Sequence, residues 1–242
     1  MQNLIKFFKN KLLDIFFPKM CLVCEKPGKM LCDNCGIKII NDKRKDSDLE
    51  NISWVHNTLN YQNNTLQKIF YSLKYNYTKA FVKDLSELVK KDFLSFLEKI
   101  LKTSDSTYEK LIFIPIPISK KRLIERDYNQ SELLLKETLR LIKKENNIDL
   151  EKNILLDFLV KTKHTIKFAK THSRNEREKL IKDAFSINEK TLESFPTNFL
   201  SKKIFILFDD ITTTGTTFYE ARKVLINSNI PKGNIFAYAL AH

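Results

Sequence analysis

The sequence predicts an α/β fold, a parallel sheet flanked by helices, with a small cysteine-bearing module near the N-terminus. Two observations predict it. From residue 111 onward, apolar strand-like runs alternate with helical patterns, as they do in a parallel sheet covered on both faces. All four cysteines lie ahead of that alternation, in the segment PKMCLVCEKPGKMLCDNCG at 18–36. At 242 residues, 43% of them hydrophobic, the chain can fill one such domain and a small appendage. Changes of texture set the expected boundaries: an amphipathic helix and four-cysteine module over 1–40, a linker and helical hood-like region over 41–105, and the α/β domain over 106–242.

Taken in order, the first segment is MQNLIKFFKNKLLDIFF. Leu4, Ile5, Phe8, Leu12, Ile15 and Phe16 share one helical face, so it reads as an amphipathic helix. Lys6, Lys9, Lys11 and Asp14 break any signal-peptide core, and no small-residue cleavage site follows. Nor does any apolar run approach the ~18–20 residues of a membrane helix. The expectation is a cytoplasmic protein without a transmembrane segment, at most peripheral at the inner membrane. Beyond the cysteines, Trp54–Tyr61 reads as a strand. Phe81, Leu85, Leu88, Val89, Phe93, Phe96, Leu97, Ile100 and Leu101 then recur at helical spacing. The later elements are strand 111–118 (LIFIPIPI), helix 129–144, strand 154–160 (ILLDFLV), a polar stretch 161–182, the short DAFSI at 183–187, strand 203–208 (KIFILF), helix 217–228 and strand 235–240 (IFAYAL).

Composition excludes several chemistries. The only glycines are Gly28, Gly36, Gly215 and Gly233, which leaves no G-x-G-x-x-G fingerprint, no P-loop and no G-x-S-x-G elbow. The histidines at 56, 164, 172 and 242 form no H-E-x-x-H pair. Forty-two Lys plus Arg against 29 Asp plus Glu give a net charge of +13, which invites a nucleic-acid reading. Most of that excess is scattered Lys on a solvated surface. The local cluster is 161–182, with eight Lys or Arg against two Glu.

The cysteine spacing is C-x2-C-x7-C-x2-C, with Cys21 and Cys24 in one knuckle and Cys32 and Cys35 in the other. Four thiolates around one point match a closed, structural Zn²⁺ site; iron in a rubredoxin-like site and a pair of disulfides are the alternatives. A second constellation follows the run Phe205-Ile206-Leu207-Phe208: Asp209, Asp210, Ile211, Thr212, Thr213, Thr214, Gly215, Thr216 and Thr217. A buried strand thus runs into two adjacent carboxylates, a Thr/Gly loop and a helix. Strand ends of open parallel sheets are where ligands bind, and the helix N-terminus offers free N–H groups to an anion. Two carboxylates beside a phosphate need hydroxyls or a metal to hold, and a phosphorylated ribose satisfies both halves.

That nine-residue stretch resembles the phosphoribosyl pyrophosphate signature of type I phosphoribosyltransferases, and within that superfamily the chain resembles the ComF family of competence-associated proteins. The resemblance is carried by Leu13-Asp14-Ile15-Phe16-Phe17-Pro18 ahead of Cys21-x-x-Cys24, and by Leu73-Lys74-Tyr75. It continues in Ile114-Pro115-Ile116-Pro117-Ile118-Ser119 with Arg122, Arg126, Asn129 and Gln130, and in Ala184-Phe185. Asp127 stands where that family usually has Gly.

The resemblance implies a type I phosphoribosyltransferase-like fold with an N-terminal zinc finger. It assigns the ribose hydroxyls to Asp209 and Asp210, and the 5′-phosphate to Thr212, Thr213, Thr214, Gly215, Thr216 and Thr217. Ser119, Lys120, Lys121 and Arg122 would contact the pyrophosphate with Mg²⁺, and Lys161, Lys163, Arg174 and Arg177 would belong to a flexible closing loop. Lys74 and Tyr75 are candidate contacts for single-stranded DNA, bases on rings and phosphates on Lys. Two functions are expected. One is a cytoplasmic protein of natural transformation that binds phosphoribosyl pyrophosphate and handles incoming single-stranded DNA, with a competence helicase or DNA-processing proteins as partners. The other is a salvage phosphoribosyltransferase acting on a free nucleobase.

Overall fold

The computed structural model describes residues 19–42, 52–75, 80–162 and 183–242. The N-terminal helix expected before residue 19 and most of the basic stretch with Lys163, Arg174 and Arg177 lie outside the described residues. The chain runs α1 (Asp33–Asn41), β1 (Val55–Leu59), α2 (Asn64–Tyr75), α3 (Ala80–Thr103), β2 (Leu111–Pro115), α4 (Lys120–Arg126) and α5 (Gln130–Asn146). It continues through β3 (Leu159–Lys161), β4 (Phe185–Ile187), α6 (Glu189–Glu193), β5 (Ile204–Ile211), α7 (Thr216–Asn227) and β6 (Ile235–Ala241).

Four of these strands form one parallel sheet in the order β1–β6–β5–β2. Alternation along β5 explains why helices cover both faces. Ile204, Ile206 and Phe208 point into a core shared with Leu85, Val89, Phe93 and Leu97 of α3 and Leu134, Leu135 and Leu139 of α5. Phe205 and Leu207 point the other way, against Phe218, Ala221 and Leu225 of α7. The stretch expected as linker and hood supplies the edge strand β1 and the helices α2 and α3. In α3 the buried positions Phe81, Val82, Leu85, Val89, Phe93, Leu97, Ile100 and Leu101 keep the i, i+3/i+4 spacing of one helical face.

The 154–160 run is the main departure from the expected elements. Ile154 alone bridges to Phe113 at the sheet edge, and the chain then bends away. Leu159–Lys161 pairs antiparallel with Phe185–Ile187 in a separate two-stranded ribbon. The run is apolar because Phe158 and Leu159 fill the core beneath α7, so its hydrophobicity reflects burial and not membership of the main sheet.

The cysteine module is not detached. Cys21, Leu31, Cys35 and Ile39 belong to the same core as α3 and the sheet. The Leu31 N–H donates to Asp84 of α3 at 2.9 Å. Gly36 packs so closely that a Cβ there would meet Leu88 at 2.6 Å. No helix among the described residues is long and apolar enough to cross a membrane.

An aromatic cluster ties the sheet to α3. The Phe93 ring lies 4.6 Å from Tyr238, 5.5 Å from Phe208 and 6.1 Å from Phe113, centroid to centroid. Phe93→Ala therefore leaves a cavity between three rings and should cost about 3–5 kcal/mol of unfolding free energy in a denaturant titration; a loss under about 1 kcal/mol would show that α3 is not packed as described.

Candidate functional site

Strand β5 stays apolar until Phe208 and then presents Asp209 and Asp210 at its C-terminal end, on the floor of a cleft of about 910 Å³. Helix α2 forms one wall, the ends of β2 and β3 with α4 and the start of α5 another, and Leu22 of the cysteine loop reaches the rim. Five cationic side chains line it, Lys68, Lys74, Arg122, Arg126 and Lys161, against the two carboxylates. That surplus of positive charge at a strand end suits a polyanionic ligand.

Each acid is held by a different helix. Asp209 Oδ1 accepts from Ser131 Oγ at 2.7 Å and from the Asp210 N–H at 2.9 Å. Asp210 Oδ2 lies 2.8 Å from Lys74 Nζ, and its Oδ1 accepts from the Ile211 N–H at 2.9 Å. Ser131 is placed by the start of α5. The Asn129 side chain caps that helix by accepting from the Ser131 N–H, while its Nδ2 donates to the Ile116 carbonyl at the end of β2. Tyr128 Oη donates to the Leu73 carbonyl at 2.6 Å, fixing α2, and so Lys74, against the same corner.

Burial pushes these charges toward neutrality. It drives the Asp209 carboxyl up to about 7, helped by Asp210 and opposed by the Ser131 hydroxyl and Lys74. Burial also brings the Lys161 ammonium down to about 8, with Arg122 acting in the same sense and Asp209 opposing. The Arg122 guanidinium is lowered by burial and by Arg126. Desolvated acids and desolvated cations thus face one cleft, a condition met at sites that receive ionic ligands. A bound anion would favour the charged forms of Lys161 and Arg122, and a divalent cation that of Asp209.

The loop after the acids turns on Gly215, at φ +72°, which caps α7 in the left-handed conformation. Thr217 in the first turn lines the cleft. Thr214 and Thr216 hydroxyls lie 2.7 Å apart. Thr212 is buried, and its N–H is spent on the Ala241 carbonyl. Thr213 is exposed. Ser119 caps α4 by accepting from the Arg122 N–H at 3.4 Å; Lys120 and Lys121 are exposed on its first turn, and of these four only Arg122 lines the cleft. Asp127, at φ +63°, closes α4 in the left-handed region, where Asp is tolerated in place of Gly.

Tyr75 lies under the Arg126 guanidinium at 5.4 Å, and the Tyr71 and Tyr75 rings are 4.8 Å apart. Lys74, expected as a DNA contact, is turned inward to Asp210. Ser131, Lys68 and Leu22 were not expected at the site. Only the position of Ser131, in the first turn of a helix that starts beside a strand end, offered a signal. Gln130, 2% exposed, accepts from Arg126 through Oε1 at 3.0 Å, and its Nε2 finds no acceptor among the described residues.

The four cysteine sulfurs lie within 4.8 Å of one another and can hold one metal ion such as zinc. All four are free thiols, with Cys24 and Cys32 sulfurs 3.6 Å apart. At Cys21, burial is outweighed by the Cys32, Cys24 and Val23 N–H groups, which bring the thiol down to about 6. Burial and the three neighbouring cysteines push Cys35 up to about 12. Thiolates crowded in this way cannot all ionise without a cation among them.

Two outcomes are expected. The folded Asp209 carboxyl titrates near 7 and the unfolded one near ~3.9, so the folded state holds an extra proton between those values and loses stability as pH rises through that window. Asp209→Asn should therefore gain melting temperature over the parent, by a margin that grows from pH 4 to pH 8. A margin independent of pH would mean an ordinary carboxyl. For the cysteines, elemental analysis of freshly purified chain should give ~1 metal equivalent, and a strong chelator should lower the melting temperature; well under one equivalent would count against the centre.

No family model matches the chain, and no curated protein sequence matches it.

Proposed function

We propose that the chain binds phosphoribosyl pyrophosphate with Mg²⁺ in this cleft and, as a ComF-type competence protein, handles incoming single-stranded DNA, its four-cysteine centre holding structural zinc. The observation that carries the reading is the convergence in one cleft of a carboxylate pair, a glycine-turned helix N-terminus and five cations. A phosphorylated ribose needs these three together: acceptors for the 2′- and 3′-hydroxyls, N–H groups for the 5′-phosphate, and positive charge for the pyrophosphate. Asp209 and Asp210 are the acceptors, the Thr213–Thr217 turn the phosphate seat, and Arg122 and Lys161 the pyrophosphate contacts. Mg²⁺, when bound with the ligand, would offset phosphate charge beside Asp209, whose carboxyl is raised by burial and by Asp210. The acid pair would also stabilise positive charge developing at C1′ if pyrophosphate leaves.

Tyr71 and Tyr75, 60% and 41% exposed beside Arg126 and Lys68, extend the cleft with rings and cations suited to bases and a phosphate backbone. The same rings favour the second reading, a salvage phosphoribosyltransferase, because a free base would stack there equally well. In calorimetry, Asp209→Asn with Asp210→Asn should abolish Mg²⁺-dependent phosphoribosyl pyrophosphate binding while the melting transition persists; unchanged binding would move the ligand elsewhere. Pyrophosphate release screened over free bases separates the two readings, since turnover at ordinary enzyme rates with one base favours salvage. Single-stranded oligonucleotides binding no better than a neutral polymer at moderate salt would remove the DNA role.

A further inference from the structure

A further cavity, of about 580 Å³, lies at the opposite end of the sheet, between the starts of β1 and β6 and the C-terminal half of α7. Its floor holds Arg222, 8% exposed, whose guanidinium carbon sits 4.1 Å from the centroid of the Trp54 ring. Arg222 Nη2 donates to the Lys232 carbonyl at 2.7 Å, and its Nε finds no acceptor among the described residues. No carboxylate pairs with Arg222 among those residues, and none lines the cavity. Lys223 and Lys232 bring two more cations to its wall, Lys223 also meeting the exposed Asp183 at 3.2 Å.

A guanidinium held this deep without a counter-ion is unfavourable, and stacking on an indole offsets only part of the cost. An anion in the cavity would supply what the protein does not. The apolar side of the cavity says what the anion is attached to. The Tyr219 and Trp54 rings meet at 83°, centroids 5.2 Å apart, and Tyr219 is 47% exposed, which leaves aromatic surface within reach of a ligand beside Ile226. A flat ring and a phosphate together match the volume, within the ~300–1,000 Å³ of small-ligand sites.

We propose that this cavity is a second ligand site, distinct from the acid-pair cleft, that takes a mononucleotide: the phosphate opposite Arg222 and the base against Tyr219. Trp54 is the chain's single tryptophan, so its emission reports this site directly. Titration of the full chain with adenosine monophosphate should give a saturable change in Trp54 emission with Kd below ~1 mM. Arg222→Gln should weaken it at least tenfold. Tyr219→Ala, at an exposed position, should weaken adenosine monophosphate while leaving ribose 5-phosphate unchanged, and it keeps the test open if Arg222→Gln fails to fold. Asp209→Asn with Asp210→Asn should leave the response intact, which separates this site from the phosphoribosyl pyrophosphate reading. The proposal is overturned by no saturable change, by an equal change with sodium chloride at matched ionic strength, by inorganic phosphate binding as tightly as the nucleotide, or by loss of the response in the acid-pair variant.

Discussion

A strand buried on both faces has to end somewhere, and β5 ends in two adjacent carboxylates. Neither can face the apolar interior alone, and the local architecture follows from how they are held. Ser131 takes Asp209 and Lys74 takes Asp210. Those two partners dictate that α5 must start, and α2 must finish, above the same strand end. Asn129 and Tyr128 then lock the two helices to each other's neighbourhood through the Ile116 and Leu73 carbonyls. The cleft is the space these constraints leave open. One hydroxyl, one ammonium and two backbone N–H groups answer the acids, all of them inside a desolvated corner.

Much of this was legible in the sequence, for physical reasons that differ by element. Strands β2, β5 and β6 showed themselves because a strand covered on both faces needs continuous apolar residues. Helix α3 showed itself because its buried residues recur on one face over 24 residues. The acid pair and its Gly-containing turn were visible because they are contiguous, and the cysteine cluster because its knuckles are short. Lys74 was visible as a residue and not as a partner of Asp210: nothing in a linear sequence brings α2 to the end of β5. Ser131 was hidden for the same reason. The 154–160 run misled because apolarity reports burial, and Phe158 and Leu159 are buried without joining the main sheet.

The cysteine module reads differently in three dimensions than as a segment. Its spacing suggests an independent appendage, yet Cys21 and Cys35 sit in the core that α3 shares with the sheet, and Leu22, between two of the thiols, reaches the rim of the cleft. A metal there would brace one side of the cleft as well as its own loop.

The strand order has a consequence for how the chain comes together. In the order β1–β6–β5–β2, the two strands made first are the outer ones, and the two made last fill the middle. On a growing chain β1 and β2 therefore have no partner in this sheet until β5 and β6 arrive. The sheet cannot zip from one end; it closes by insertion, after long stretches of intervening chain have been drawn together. Such non-local closure is slow and leaves apolar edges waiting. Helices α3 and α5, which already pack on each other through residues 80–146, are the surface against which those early strands can shelter.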